Sequence, residues 1–489
     1  MARLSERDLE AIAQRIAADI SASGGAVASA TGRPAASAAG SDGGPADPAV
    51  GVFATVDEAV RAARAAQPRL VALPLTVRAR ILAAIRATML EHAAELAKMA
   101  HEETGLGRAE DKILKNRLVA EKTPGLEDLA PQAVTGDHGL TLLEPAPFGV
   151  IGAITPSTNP TSTIICNAIG MLAAGNSVVF CVHPLARNCS IATVALINRA
   201  VAAAGGPACT VTCLANPTIQ AAQEVMTHPG IRLVVVTGGG AVVKAAMASG
   251  KRAICAGPGN PPVVVDETAH LDKAARDIVA GASTDNNIIC VDEKEVFVVA
   301  SVADRLLAAM EGAGAVRLDA TRLRQIENLV FAKHPGPRGR GAMNHDLIGK
   351  DVAVILGRIG MSVPRETRLA VVEVDADHPL LWSEQMMPIL PVCRVPDADR
   401  AIDLAIEVEG GNRHTAVMHS THLDRLSRMA KACDCSIFVK NGRSQAGLGL
   451  DGEGTCSFTI ASPTGEGLTG PRQFSRWRRC VLVDHFRIT

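Results

Sequence analysis

The stretch Pro147-Phe148-Gly149-Val150-Ile151-Gly152-Ala153-Ile154-Thr155-Pro156-Ser157-Thr158-Asn159-Pro160 decides the fold. Residues 150–155 are a short apolar run, a polar turn follows, and residues 164–174 read as a helix. The same unit recurs downstream. Residues 177–182 precede a helix over 191–203, residues 210–214 one over 219–226, and residues 233–237 one over 241–248. Strand, turn and helix in repeated succession predict a parallel sheet with crossover helices. A second α/β series runs from Pro262 to about Val439, so two α/β lobes are expected. Upstream, residues 55–129 read as helical, with breaks at Pro74 and at 105–107.

Composition bounds the function. The chain has 489 residues, 47% of them apolar, which suits two or three domains or one large interleaved enzyme. A net charge of −1 argues against a surface that tracks a nucleic-acid backbone. No apolar run approaches the ~20 residues that span a bilayer, and no signal-peptide pattern opens the chain. A cytoplasmic protein is therefore expected. Twelve cysteines, without a CxxC and mostly inside apolar runs, read as reduced core residues rather than a disulfide framework. No metal site is expected.

The N-terminus has a different character. Leu9, Ile12, Ile16 and Ile20 recur at helical spacing among charges, and Ser5 suits a first-turn cap, so residues 1–20 read as an amphipathic helix. Residues 21–49 are nearly all Ala, Gly, Ser, Pro and Asp and read as a flexible linker. A helix on a tether is a docking device; a helix covering a groove on its own body is the alternative.

The chemistry centres on Ser283-Thr284-Asp285-Asn286-Asn287-Ile288-Ile289-Cys290-Val291-Asp292-Glu293-Lys294. A cysteine at a polar junction before a strand is placed to face a cleft, with backbone N–H groups that favour thiolate and later hold an oxyanion. A structural cysteine is the plainer reading of the same position.

Residues 147–160, followed by Ala174-Gly175-Asn176-Ser177-Val178-Val179, closely resemble the first cofactor strand and oxyanion segment of the aldehyde dehydrogenase superfamily. Asp285-Asn286-Asn287 to Cys290, with residues 455–468 (TCSFTIASPTGEGL), resemble its CoA-acylating branch from bacterial microcompartments. The resemblance runs from about residue 50 to the end. It implies a Rossmann-like cofactor domain over 50–257, a catalytic domain over 258–470, and an oligomerisation flap. The flap would combine residues 136–146 with a C-terminal strand over 471–489. It also implies that residues 1–20 are an encapsulation peptide for a compartment shell protein, and that the protein is a homodimer or homotetramer inside such a compartment.

Position by position, the resemblance makes Cys290 the nucleophile and Asn159 the oxyanion amide, with Thr158 as the alternative because this segment is longer than in hydrolytic relatives. It makes Thr155, Pro156, His183, Pro184, Thr237, Gly238 and Gly239 cofactor contacts, and Glu384 the carboxylate that grips the nicotinamide ribose. His183 is equally readable as a solvated loop residue. His414, in Asn412-Arg413-His414-Thr415, is open between a core residue and an aid to an incoming thiol. Arg472, Arg476, Arg478 and Arg479 are open between CoA phosphates and a subunit contact.

The informative departure is at Ala256. Hydrolytic relatives carry Glu-Leu-Gly-Gly-Lys where this chain has Ala256-Gly257-Pro258-Gly259-Asn260, so the water-activating glutamate is missing. A thiol of pKa ~8.5 needs less help than water to act as nucleophile. The expected reaction is therefore a short-chain aldehyde, propionaldehyde or acetaldehyde, plus NAD and coenzyme A, giving acyl-CoA. The alternatives are a hydrolytic dehydrogenase and a catalytically silent shell cargo.

Overall fold

A computed structural model of the protein describes residues 46–487. The expected targeting helix over 1–20 lies outside the described residues, as does the expected linker except for its last four positions. There the Asp47 side chain caps a 3-10 turn, Pro48–Val50, which leads into the first strand, Val52–Phe53. No helix among the described residues is long and apolar enough to cross a membrane.

Two parallel sheets organise the body. The first has six strands in the spatial order Val52–Phe53, Val211–Leu214, Ser177–Cys181, Val150–Ile154, Leu233–Thr237, Arg252–Ala256. Strands Ser177–Cys181, Val150–Ile154 and Leu233–Thr237 are buried throughout, which is why they read as continuous apolar runs rather than alternating ones. Chain order reverses on either side of Val150–Ile154. The next strand in sequence lies on one side of it, and Leu233–Thr237 on the other. Such a reversal opens a crevice beyond the carboxyl ends of the strands.

The second sheet has seven parallel strands, in the order Ala315–Leu318, Leu369–Glu373, Ile389–Val395, Glu295–Val299, Pro262–Val265, Thr415–His419, Ile437–Lys440. One apolar core, running from Leu70 and Ile85 through Val178 and Phe180 to Val263 and Val296, joins the two sheets.

The upstream helices are Val56–Val71, Leu75–Glu91, Ala93–Thr104 and Ala109–Lys122. The first opens on a capping box, in which Thr55 and Glu58 satisfy each other's backbone N–H groups. A break at His92, which neither Pro nor Gly announces, separates the second and third. A small antiparallel sheet completes the fold, with Gly139–Pro147 between Gln132–Gly136 and Ser475–Val483.

Candidate active site

Three of the predicted cofactor segments follow three adjacent strands of the first sheet. Thr155-Pro156 follows Val150–Ile154, His183-Pro184 follows Ser177–Cys181, and Thr237-Gly238-Gly239 follows Leu233–Thr237. The turn after Thr237 opens the helix Gly240–Ala248, whose first amides have no carbonyl within their own helix. Space beside Gly239 and Gly240 is open. Thr155 Oγ1 is buried without a protein partner. A phosphate-bearing cofactor suits this end of the sheet.

His183 is a cap as well as a candidate contact. Its Nδ1 accepts the Leu185 N–H at 3.2 Å, and burial lowers its pKa, so the imidazole meets a ligand as a neutral Nε2–H donor rather than a cation. Pro184 is exposed.

Cys290 sits at the end of a loop held by buried polar bonds. Asp285, Asn286 and Asn287 are consecutively left-handed, with φ of 47°, 56° and 65°. That backbone costs about 1–3 kcal/mol per residue unless its surroundings enforce it. Here they do. Asp285 accepts from the Arg108 N–H at 2.6 Å, from Lys112 Nζ at 3.0 Å and from Lys115 Nζ. Asn286 Nδ2 donates to the Gly349 carbonyl and to Asp351. Lys294 Nζ donates to Asn287 O at 2.6 Å, Asn287 Oδ1 at 2.7 Å and Ile289 O at 3.1 Å. Gly107 is needed at its position because a Cβ there would run into the Asp285 carboxylate.

The sulfur itself is half-buried. Burial first, and then the nearby Glu384 carboxylate, push its thiol up to about 12, while Lys294 pulls it down. The local backbone N–H favours the thiolate, as its position implies, but does not outweigh desolvation, so the resting sulfur is a thiol. Burial raises the pKa of Glu384 itself, and the nearby Gly259 N–H opposes that rise. Ala256 pairs with Thr237 at the strand ends and supplies no acid there. Glu384, however, puts a carboxylate within electrostatic reach of the sulfur, which the residues around Ala256 gave no reason to expect.

Asn159 stands at the N-terminal boundary of the helix Pro160–Ala173 without a side-chain cap bond, and is 5% exposed. Its Oδ1 accepts from Lys115 Nζ at 2.6 Å, and its Nδ2 donates to Thr158 Oγ1 at 3.1 Å. His414 is fully buried, with Nδ1 2.9 Å from Thr415 Oγ1 and Nε2 without a protein partner. Burial and Lys294 lower its pKa to about 4, so the ring is neutral. Residues 455–468 bridge the two sheets, with the Ser462 hydroxyl 3.0 Å from that of Ser436, just before the second sheet's strand Ile437–Lys440. The Thr459 hydroxyl lies 2.8 Å from that of Thr237 and donates to Asn167 Oδ1, and Thr464 Oγ1 accepts the Cys255 N–H at 3.0 Å.

The described chain is matched over residues 48–320 by the aldehyde dehydrogenase family. It is 53% identical to the acetylating acetaldehyde dehydrogenase of Salmonella typhimurium, over 90% of this chain and 94% of that one. The chain belongs to the aldehyde dehydrogenase family. A CoA-propanoylating propanal dehydrogenase of Citrobacter freundii is 46% identical over the same shares of the two chains. Among solved structures, the Rhodopseudomonas palustris propionaldehyde dehydrogenase with bound CoA and an acylated cysteine is 51% identical, covering 89% of this chain and 98% of that one, with a TM-score of 0.86. A propionaldehyde dehydrogenase from a fucose-utilisation microcompartment of Clostridium phytofermentans is 47% identical, covering 90% of this chain and 100% of that one, with a TM-score of 0.87.

Within this family member, the basic cluster lies off the site. Arg472 bonds Asp128, and Arg476 bonds the Pro147 carbonyl on the small antiparallel sheet. A cleft of about 580 Å³ lined by Phe148, Gly149, Arg232 and Arg476 opens at the amino end of strand Val150–Ile154, opposite the cofactor turns. The residues missed from sequence are Lys112, Lys115, Lys294 and Thr459. Lys112, Lys115 and Lys294 lie in segments rich in charge, so nothing local marked them as the buried ones.

Proposed function

We propose that the protein is an NAD-linked, CoA-acylating aldehyde dehydrogenase. It converts a short-chain aldehyde, NAD⁺ and CoA to acyl-CoA, NADH and a proton, with Cys290 as the nucleophile. The observation that carries this reading is the surroundings of Cys290. Cys290 stands at the end of a bolted loop, its backbone carbonyl and the neutral His414 imidazole both pack against Gly259, and Ala256 supplies no acid beside the cofactor turn. The acylating activities of the relatives support it.

Cys290 loses its proton as its sulfur adds to the aldehyde carbonyl, giving a thiohemiacetal. The Cys290 backbone N–H and Asn159 Nδ2 are the donors we assign to the new oxyanion; each such donor is worth about 3–4 kcal/mol of barrier. NAD, when bound, takes the hydride that leaves a thioester on Cys290. Thr155, Pro156, His183, Pro184 and the amides after Thr237 would hold its nucleotide and that of CoA, with Glu384 toward the ribose. His414 Nε2 offers the incoming thiol a neutral hydrogen-bond acceptor.

Glu384 favours a second reading, since a carboxylate near the thioester is suited to recruiting water. One experiment separates the two: NADH release from acetaldehyde, propionaldehyde and butyraldehyde, with CoA present or omitted, on wild type and Cys290→Ala. The acylating reading expects sustained turnover only with CoA. Brisk free acid without any thiol, or turnover by Cys290→Ala, overturns it.

The exposed Trp477, Val481, Leu482 and Val483 on the outer strand of the antiparallel sheet support homo-oligomerisation through that sheet. We assign residues 1–20 to docking on a compartment shell. A reporter fused to these residues that fails to co-localise with a shell removes that assignment.

A further inference from the structure

Lys115 is buried, 4% exposed, beneath the segment that carries Asn159. An ammonium has donors only, so the Asn159 atom it touches must be the carbonyl oxygen. That contact fixes the side-chain amide: Oδ1 faces Lys115, and Nδ2 faces away from it. With the amide reversed, N–H groups would confront an ammonium in a dry site, at the cost of an unsatisfied buried donor. Thr158 Oγ1 takes one Nδ2 hydrogen, which leaves the other for a ligand.

The same ammonium bonds Asp285, whose backbone belongs to the loop that ends at Cys290. Lys112 bonds the same carboxylate at 3.0 Å and the Thr158 carbonyl at 3.3 Å, but makes no bond to the Asn159 side chain. The chain of contacts Asn159–Lys115–Asp285 therefore ties the amide to the loop that carries the sulfur, through groups that are 0–5% exposed.

We propose that Lys115 is a positioning residue for the dehydrogenase reaction, holding the Asn159 amide with Nδ2 toward the reacting oxygen and registering it to Cys290 through Asp285. This rests on the reading of Asn159 as an oxyanion donor. Errors of about 1 Å in such a group cost up to about 100-fold in rate, so a lost tether acts on kcat rather than on substrate binding.

The test is a double-mutant cycle on the full-length enzyme, with Lys115→Met, Asn159→Ala and the pair, reading kcat and KM for acyl-CoA formation. Asn159→Ala is expected to lower kcat about 100-fold. Lys115→Met is expected to lower it at least about tenfold with KM nearly unchanged, and to add almost nothing in the Asn159→Ala background. Lys112→Met, which removes a neighbouring charge without touching the amide, should lose less than Lys115→Met and be additive with Asn159→Ala. If Lys115→Met does not accumulate as folded protein, Lys115→Gln, shorter and uncharged so that it cannot span Asn159 and Asp285, carries the same cycle. Additive effects, or equal losses in Lys115→Met and Lys112→Met, overturn the positioning role. An Asn159→Ala enzyme with undiminished kcat instead overturns the oxyanion reading itself.

Discussion

Gly259 stands so close to Cys290 that a Cβ on it would lie 2.6 Å from the Cys290 carbonyl oxygen and 3.0 Å from His414 Cγ. Its N–H also lies near enough to Glu384 to lower that carboxyl's pKa. One glycine therefore fixes the spacing of the nucleophile, the neighbouring acid and the imidazole. Gly259→Ala forces a backbone shift in that triangle. Its kcat should fall at least about tenfold, because sub-ångström errors at reacting groups are costly, while circular dichroism stays native. Wild-type kcat in this variant would refute the packing argument.

The resting thiol has a kinetic consequence. With Cys290 pushed up to about 12, its alkylation by iodoacetamide should rise about tenfold per pH unit through pH 9, without a plateau. Glu384 contributes to that elevation through its negative charge, so Glu384→Gln lowers the thiol pKa and speeds alkylation at a given pH. Mass spectrometry of the Cys290 peptide reads both. A plateau below pH 8, or slower labelling in Glu384→Gln, contradicts the electrostatics.

Lys294 holds the nucleophile loop from inside. Replacing it with Met leaves the Asn287 carbonyl and the Asn287 amide oxygen without a donor in a dry interior, while the Ile289 carbonyl keeps the Asp292 N–H. The expected loss is about 3 kcal/mol of stability, seen as a lower Tm. A variant as stable as wild type would show that the loop does not depend on this ammonium.

His419 makes part of the acid sensitivity predictable. Burial, with a smaller push from Lys273, lowers its pKa from 6.5 to about 3, and its Nε2 has no protein partner. Below pH 6.5 the unfolded chain takes up a proton that the folded chain refuses. Stability from this residue is thus full above pH 6.5 and lost as pH falls toward 3. Between pH 6.5 and 5 wild type should lose about 2 kcal/mol relative to His419→Gln. Parallel pH profiles of Tm for the two proteins would rule this out.

The continuous apolar runs at 150–154, 177–181 and 233–237 were legible as strands because burial on both faces leaves no room for polar alternation. The turns that follow them were legible because Pro, Asn and Gly punctuate them. Cys290 stood apart from Cys166 by its polar junction before a strand, but a structural cysteine suits that position too, and only the resemblance to a known motif made it the nucleophile. The break at His92 left no mark, because a helix turns there by packing rather than by a residue that cannot be helical. How far burial opposes the thiolate was not legible, because desolvation depends on what other segments lie over the sulfur.

The sequence by itself determined the two parallel sheets, the order of their strand–helix units, and the absence of an acid at Ala256. These are local properties: periodicity, turn chemistry and residue identity travel with the chain. Only the tertiary structure decided that Lys115 faces Asn159, that Asp285 bonds it from 170 positions away along the chain, and that Glu384 approaches Cys290. Those contacts join distant segments in a dry interior, where the charge on a side chain acts through space, and no local pattern in the sequence records which segments meet.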